Sequence, residues 1–169
     1  ATEGGDNIDK RYLENINLAK HAGLKVGSYH FYRPRVDQKT QLQNFRAQCR
    51  PQDQDLIPMI DVEVTGGLSA TALCDSLHKF LKLVEQEYKQ KPLVYTGQNF
   101  YNKYLAGYFE DYLFMIAKYS DGVPQLNGNP KFALWQFSAS GRIKGIRGAV
   151  DQSCFMDNYS LRDILIKRR

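Results

Sequence analysis

Apolar positions along the chain fall into short runs cut by glycine, proline and small polar residues. Six of these runs have the length and β-branched or aromatic content of strands: LKVGSYHF (24–31), LIPMIDVEV (56–64), KPLVYTG (91–97), YLFMIAKY (112–119), FALWQFS (132–138) and GAVDQSCF (148–155). Helical spacing separates the earlier ones. In DKRYLENINLAKHAG (9–23), Tyr12, Ile16 and Ala19 recur on one face and Gly23 supplies a stop. In SATALCDSLHKFLKLVEQEYK (69–89), Ser69 can cap the helix, and Leu73, Leu77, Phe80, Leu81, Val84 and Tyr88 form one apolar stripe. Strand, helix and strand at this spacing predict parallel strands joined by crossover helices, an α/β fold. The later strands follow one another too closely for full helices, and SDGVPQLNGNP (120–130) and SASGRIKGIRG (138–148) read as loops. A stub at ATEG (1–4) brings the strand count to seven, one short of an eight-stranded barrel. An open dinucleotide-binding sheet is disfavoured, because no glycine-rich turn of the required spacing and no phosphate-binding loop occurs.

One run breaks the pattern. Seven of the nine residues of LIPMIDVEV are Leu, Ile, Pro, Met or Val, yet Asp61 and Glu63 sit inside it. Residues i and i+2 of a strand project from one face, roughly 6.5–7 Å apart at Cα. The two carboxyls therefore point together, with Met59 on their face, while Ile60, Val62 and Val64 face the helices. TGG follows at once, which puts the pair at the C-terminal end of its strand, where parallel α/β folds carry their active sites. Two adjacent, partly buried carboxyls cannot both ionise freely, so one is held protonated nearer neutral pH. An acid beside a carboxylate suits hydrolysis of a glycosidic bond. A structural pair bridged to Arg or Lys, or a divalent-metal site, are the competing readings.

Aromatic residues shift the balance toward sugar chemistry. Tyr29 and Phe31 end one strand, Tyr95 ends the next but one, and Trp135, the single tryptophan, lies in a later one. At strand ends such rings form a stacking platform for sugars. Asp151 adds a third carboxylate in the last strand. The chain of 169 residues is long enough for one domain with a real core. Its net charge of +5 favours an anionic partner, but the only dense basic run, IKRR at the C-terminus, is too short for a nucleic-acid site. Cys49, Cys74 and Cys154 are far apart and odd in number, and with the scattered histidines they offer no zinc motif. His21 and His78 fall in helical segments as surface or packing residues. No run is long and apolar enough for a membrane span, and no signal peptide is visible in a chain that begins with Ala rather than Met.

Taken in order, ATEGG, AGLKVGSYHFYRP, LIPMIDVEV, KPLVYTG and WQFSASGRIKGIRGAVDQSCF resemble the successive strand-end motifs of the family 25 glycoside hydrolases, the Chalaropsis-type lysozymes. The resemblance spans essentially the whole chain. It implies a single catalytic domain over residues 1–169, a modified TIM-like (β/α) barrel with reduced helices in its second half. It also implies cleavage of the β-1,4 bond between N-acetylmuramic acid and N-acetylglucosamine in peptidoglycan. Carried over by position, Glu63 is the general acid, and Asp61 assists by orienting the substrate's N-acetyl group or by stabilising positive charge. Asp151 is the last-strand carboxylate, and Tyr29, Phe31, Tyr95 and Trp135 line the groove. No metal or other cofactor is implied.

Two departures stand out. Members of that family usually open with a strand of the form Asp-x-Ser-x-x-Gln, bearing a further aspartate, and this sequence begins after it. Met115 stands where the family commonly has Trp. A barrel lacking one strand exposes an edge that a second copy of the chain could cover. The implied partner is bacterial cell-wall peptidoglycan, with no nucleic acid, and the implied location is secreted or wall-associated, phage endolysins included. A non-catalytic peptidoglycan-binding module is the alternative. A family 18 chitinase is disfavoured, since its pattern requires another Asp where Met59 stands.

Overall fold

The computed structural model describes residues 1–167; Arg168 and Arg169 of the C-terminal basic run lie outside the described residues. Eight strands form one sheet: β1 (Thr2–Glu3), β2 (Asn7–Ile8), β3 (Tyr29–Phe31), β4 (Met59–Asp61), β5 (Leu93–Gly97), β6 (Leu113–Ala117), β7 (Lys131–Gly141) and β8 (Val150–Phe155). Their order is β2-β1-β3-β4-β5-β6-β7-β8. From β1 to β7 every pairing is parallel, while β2 and β8 run antiparallel on the two flanks. The six expected strands and the stub are all present. The eighth strand, β2, was not expected; it folds back from β1 across the turn at Gly4, whose φ of 54° favours glycine.

Two expected strands are shorter than their apolar runs. Residues 24–28 pass beside the chain at 55–59 without a regular ladder, with the amides of Asp55 and Leu56 both bonded to the Val26 carbonyl. The approach is close: a Cβ on Gly27 would lie 2.7 Å from the Leu56 Cβ. Further on, Pro58 has no N–H to give, so β4 starts only at Met59.

Helices α1 (Tyr12–His21), α2 (Gln38–Gln48) and α3 (Ala70–Tyr88) fill the crossovers of the first half. The second half has only α4 (Gln98–Phe100), which runs into a single π-helical turn at Tyr101–Leu105, and α5 (Leu161–Ile164). Ser69 caps α3 by accepting a hydrogen bond from the Ala72 amide, and the whole stripe from Leu73 to Tyr88 is buried. Helix α2 has no apolar periodicity to announce it, because the face it turns inward is largely polar: Gln41 and Asn44 are buried with Phe45. Among the described residues no helix is long and apolar enough to cross a membrane.

The sheet has two differently filled faces. On one, His30, Ile60, Val94 and Phe114 are fully buried and pack with Phe45 and the α3 stripe in the main core. Fully burying each such apolar side chain contributes about 1.5–3 kcal/mol. On the other, Met59, Leu93, Leu113, Met115 and Leu134 form a smaller cluster with Ile57 and Ile164. Asp61 sits above that cluster.

Candidate active site

The strand pairings set one row across the second face: Phe31 beside Asp61, Asp61 beside Tyr95, Tyr95 beside Met115, and Met115 beside Leu134. Asp61 is the last residue of β4, and Glu63 lies just beyond the strand, exposed. The intervening Val62 is fully buried against the helices. Its backbone is held on both sides: its amide donates to the Tyr95 carbonyl at 2.9 Å, and its carbonyl accepts from the buried Thr96 hydroxyl at 2.7 Å. These bonds keep the two carboxyls on one side although the regular ladder has ended.

The environment divides the pair. Asp61 is pushed up to about 7, first by burial and then by the negative charge of Glu63. Its Oδ1 is buried, with no hydrogen-bond partner among the described residues. Glu63 faces open space in a cavity of about 550 Å³. The cavity is walled by the segments that follow β5 and β6, Gln98 to Phe100 and Lys118 to Ser120. Neither carboxylate has a Lys or Arg within ion-pair distance among the described residues. A structural pair neutralised by a cation is therefore disfavoured. No group of three or more metal-ligating side chains is present among the described residues.

Other expected residues gather around this pair. The Tyr29 hydroxyl is raised by burial and then by the charges of Asp61, Asp9, Asp151 and Glu63. One tyrosine on β3 thus senses carboxylates from β4 and from β8. Phe31 lies on the Asp61 row with the Arg33 guanidinium 4.7 Å from its ring centre. Tyr95 donates to Gln136 Oε1 at 2.6 Å, and burial drives its ionisation far upward. Asp151 lies on β8 above the rim of the parallel sheet, between the Val150–Gly141 and Gln152–Ser138 pairs.

Trp135 stands apart from this group. It alternates along β7 with Leu134 and Gln136, so it projects from the opposite face. There its indole N–H donates to the Lys118 carbonyl at 3.0 Å and its ring meets Phe137 edge to face. Tyr119 and Gln136 stand beside Tyr95 instead. Tyr119 walls the cavity and donates to Gln136 Oε1 at 2.9 Å, and the buried Gln136 accepts from both tyrosines. The signal for Gln136 was the same as for Asp61: a polar residue inside an apolar strand run.

A mixed α/β sheet with a carboxyl pair at the C-terminal rim of its parallel strands places the chain in the class of α/β folds whose sites sit at strand ends. Residues 1–146 match the model of the glycosyl hydrolases family 25, and the chain belongs to that family. It is 36% identical over 155 residues to the uncharacterized protein YegX of Escherichia coli strain K12, covering 92% of this chain and 57% of that protein. It is 33% identical over 160 residues to the autolytic lysozyme of Clostridium acetobutylicum, covering 95% of this chain and 47% of that one. The chain therefore spans about half the length of these relatives. Among solved structures, the bacterial lysozyme from Streptomyces coelicolor superimposes with a TM-score of 0.82 at 26% identity, over 97% of this chain and 81% of that one.

Proposed function

We propose that residues 1–169 form a single catalytic domain of a peptidoglycan hydrolase, a muramidase that cleaves the β-1,4 bond between N-acetylmuramic acid and N-acetylglucosamine. The observation that carries this reading is the divided carboxyl pair at the end of β4. Glu63 is exposed to the cavity and acts as general acid toward the glycosidic oxygen. Asp61 is the inner partner: its buried Oδ1 has no hydrogen-bond partner among the described residues and is suited to accept a hydrogen bond from the substrate's acetamido N–H. Burial raises Asp61 to about 7, so near neutral pH Asp61 retains its proton for much of the time and does not add a second full charge beside Glu63. Asp151 faces the pair from β8, and Tyr29, Phe31, Tyr95 and Tyr119 line the sugar path.

This reading includes a TIM-like barrel, with the sheet curling toward closure. In a flat sheet, β3 and β8 would stand about 24 Å apart, five strand spacings, beyond the screening length of salt. The influence of Asp151 on Tyr29 supports strong curvature instead. The substrate is bacterial cell-wall peptidoglycan, and the site of action is the wall.

The test is clearing of purified bacterial walls by the wild type and by Glu63→Gln. The variant, nearly isosteric but unable to donate as an acid, is expected to lose about 10²–10⁴-fold in rate while keeping its thermal transition. Clearing at the wild-type rate by the variant would remove Glu63 from the mechanism. Wall pelleting without clearing by either protein would point to a binding module.

A further inference from the structure

The β7–β8 hairpin is longer than the sheet needs. β6 ends at Ala117, opposite Gln136, but β7 continues to Gly141. Five further residues at about 3.3 Å each carry the hairpin roughly 16 Å past the rim on which Glu63 sits. Ser138 against Gln152 and Gly141 against Val150 hold the two strands of the arm together, with a register shift on each side of Ser138. A Cβ at Gly141 would lie 2.4 Å from Gln152 Cδ, so a side chain there would require the end of Gln152 to move. At the tip, Gly145 and Gly148 take φ values of 96° and 104° and turn the chain back.

What the arm carries at its tip is unused by the chemistry above. Arg142, Lys144 and Arg147 are exposed there, and the stretch from 139 to 150 contains no acidic residue. None of the three cations joins an ion pair among the described residues. Ile143 and Ile146 lie between them, each 52% exposed. Three cations without an ion pair among the described residues, interleaved with two bare isoleucines at the tip of an arm beside the cleft, fit a ligand with carboxylates and small apolar side chains. Guanidinium groups bind carboxylates in forked pairs, while isoleucine covers methyl groups. A glycan that carries acidic peptide branches presents both features. A membrane surface fits less well, since two isoleucines on a turn offer too little apolar area for insertion.

We infer that the β7–β8 hairpin tip is a docking site for the acidic peptide stems of peptidoglycan, gripping a stem while the glycan strand lies over Glu63. This inference rests on the muramidase reading for its choice of partner. Its test separates the two by measuring binding with the Glu63→Gln protein, which leaves hydrolysis out. The probes are soluble peptidoglycan strands with intact stems, the same strands stripped of stems by an amidase, and phosphatidylglycerol vesicles. Stem-bearing strands are expected to bind about tenfold more tightly than stripped strands, the sum of three solvent-exposed charge pairs. Adding Arg142→Gln, Lys144→Gln and Arg147→Gln should abolish that preference and leave binding to stripped strands unchanged. Equal affinity for both strands, a preference that survives the triple substitution, or selective binding to the vesicles would overturn the inference. Stem preference in a protein whose wild type clears no wall would overturn the catalytic reading alone.

Discussion

Asp61 concentrates the chemistry of the site into one side chain. It was legible in the sequence because a carboxylate inside an apolar strand has to be explained, and its spacing from Glu63 fixed a shared face. Its division of labour with Glu63 was not legible, because that depends on how deeply each carboxyl is buried, and β4 ends between them. The inner residue is the one driven upward, to about 7. Loss of the Asp61 proton above this value predicts a fall of kcat/KM on the alkaline side of neutrality. Under the proposed mechanism Asp61→Asn removes this titration, so rate is expected to fall about 100-fold and the alkaline limb near pH 7 to disappear. A pH–rate profile of the variant that keeps that limb would assign it to another group. The other aromatic expectations show the same limit: spacing put Tyr29, Phe31 and Tyr95 at strand ends, but the face taken by Trp135 depends on the register of β7 with β6, shifted by the irregularity at Phe114 and Met115.

At the scale of elements, strands and the long helix α3 were readable because their burial is apolar and periodic. Helix α2 was not, because its buried side chains do polar work. Gln41 accepts from the Arg33 amide and donates to the Arg33 and Val36 carbonyls, tying down the turn after β3. Asn44 donates its amide hydrogens among the carbonyls of Glu3, Gly4 and Asn7, at 3.3, 3.0 and 3.1 Å. One side chain on a crossover helix thus holds the β1–β2 hairpin, which explains why a two-residue strand that sequence periodicity cannot detect persists in the sheet. Asn44→Ala leaves buried carbonyls without their donor and is expected to cost about 1–3 kcal/mol. Asn44→Asp should cost more, since it turns carboxylate oxygens toward those carbonyls. Urea unfolding gives both values, and amide exchange should quicken at Thr2, Glu3, Asn7 and Ile8 before it does in β5. Uniform quickening across the sheet would show that Asn44 supports the whole fold and not this hairpin.

For the whole molecule, the two faces of the sheet hold opposite titrations. On the helix-packed face, His30 is fully buried between Phe45 and Phe80, accepts from the Thr2 hydroxyl at Nδ1 and donates from Nε2 to Gln41. Burial lowers it from 6.5 to about 4. The unfolded chain therefore takes a proton at this residue as pH falls through 6.5, whereas the folded chain does so only near 4, and stability declines over that interval. At about 1.4 kcal/mol per pH unit, the full loss is roughly 3 kcal/mol. On the rim face, Asp61 is raised from 3.8 to about 7, so the folded chain binds the extra proton and stability declines as pH rises between those values. The two slopes have opposite sign and overlap between the folded value for His30 and its unfolded one. Glu3 and Asp37 are held below the carboxylate range by Arg33 and by the Thr40 amide respectively, so they contribute only below their unfolded values of 4.5 and 3.8. Wild-type stability is therefore expected to stay nearly level from about pH 5 to 6.5. In Asp61→Asn the His30 slope is no longer opposed, and burial of the Ala1 amino group, lowered from 8.0, adds a slope of the same sign, so unfolding free energy should rise with pH across that window and exceed the wild type above pH 7. Urea titrations at half-unit steps measure both curves, and a level curve in the variant would mean that His30 is not the group that opposes Asp61.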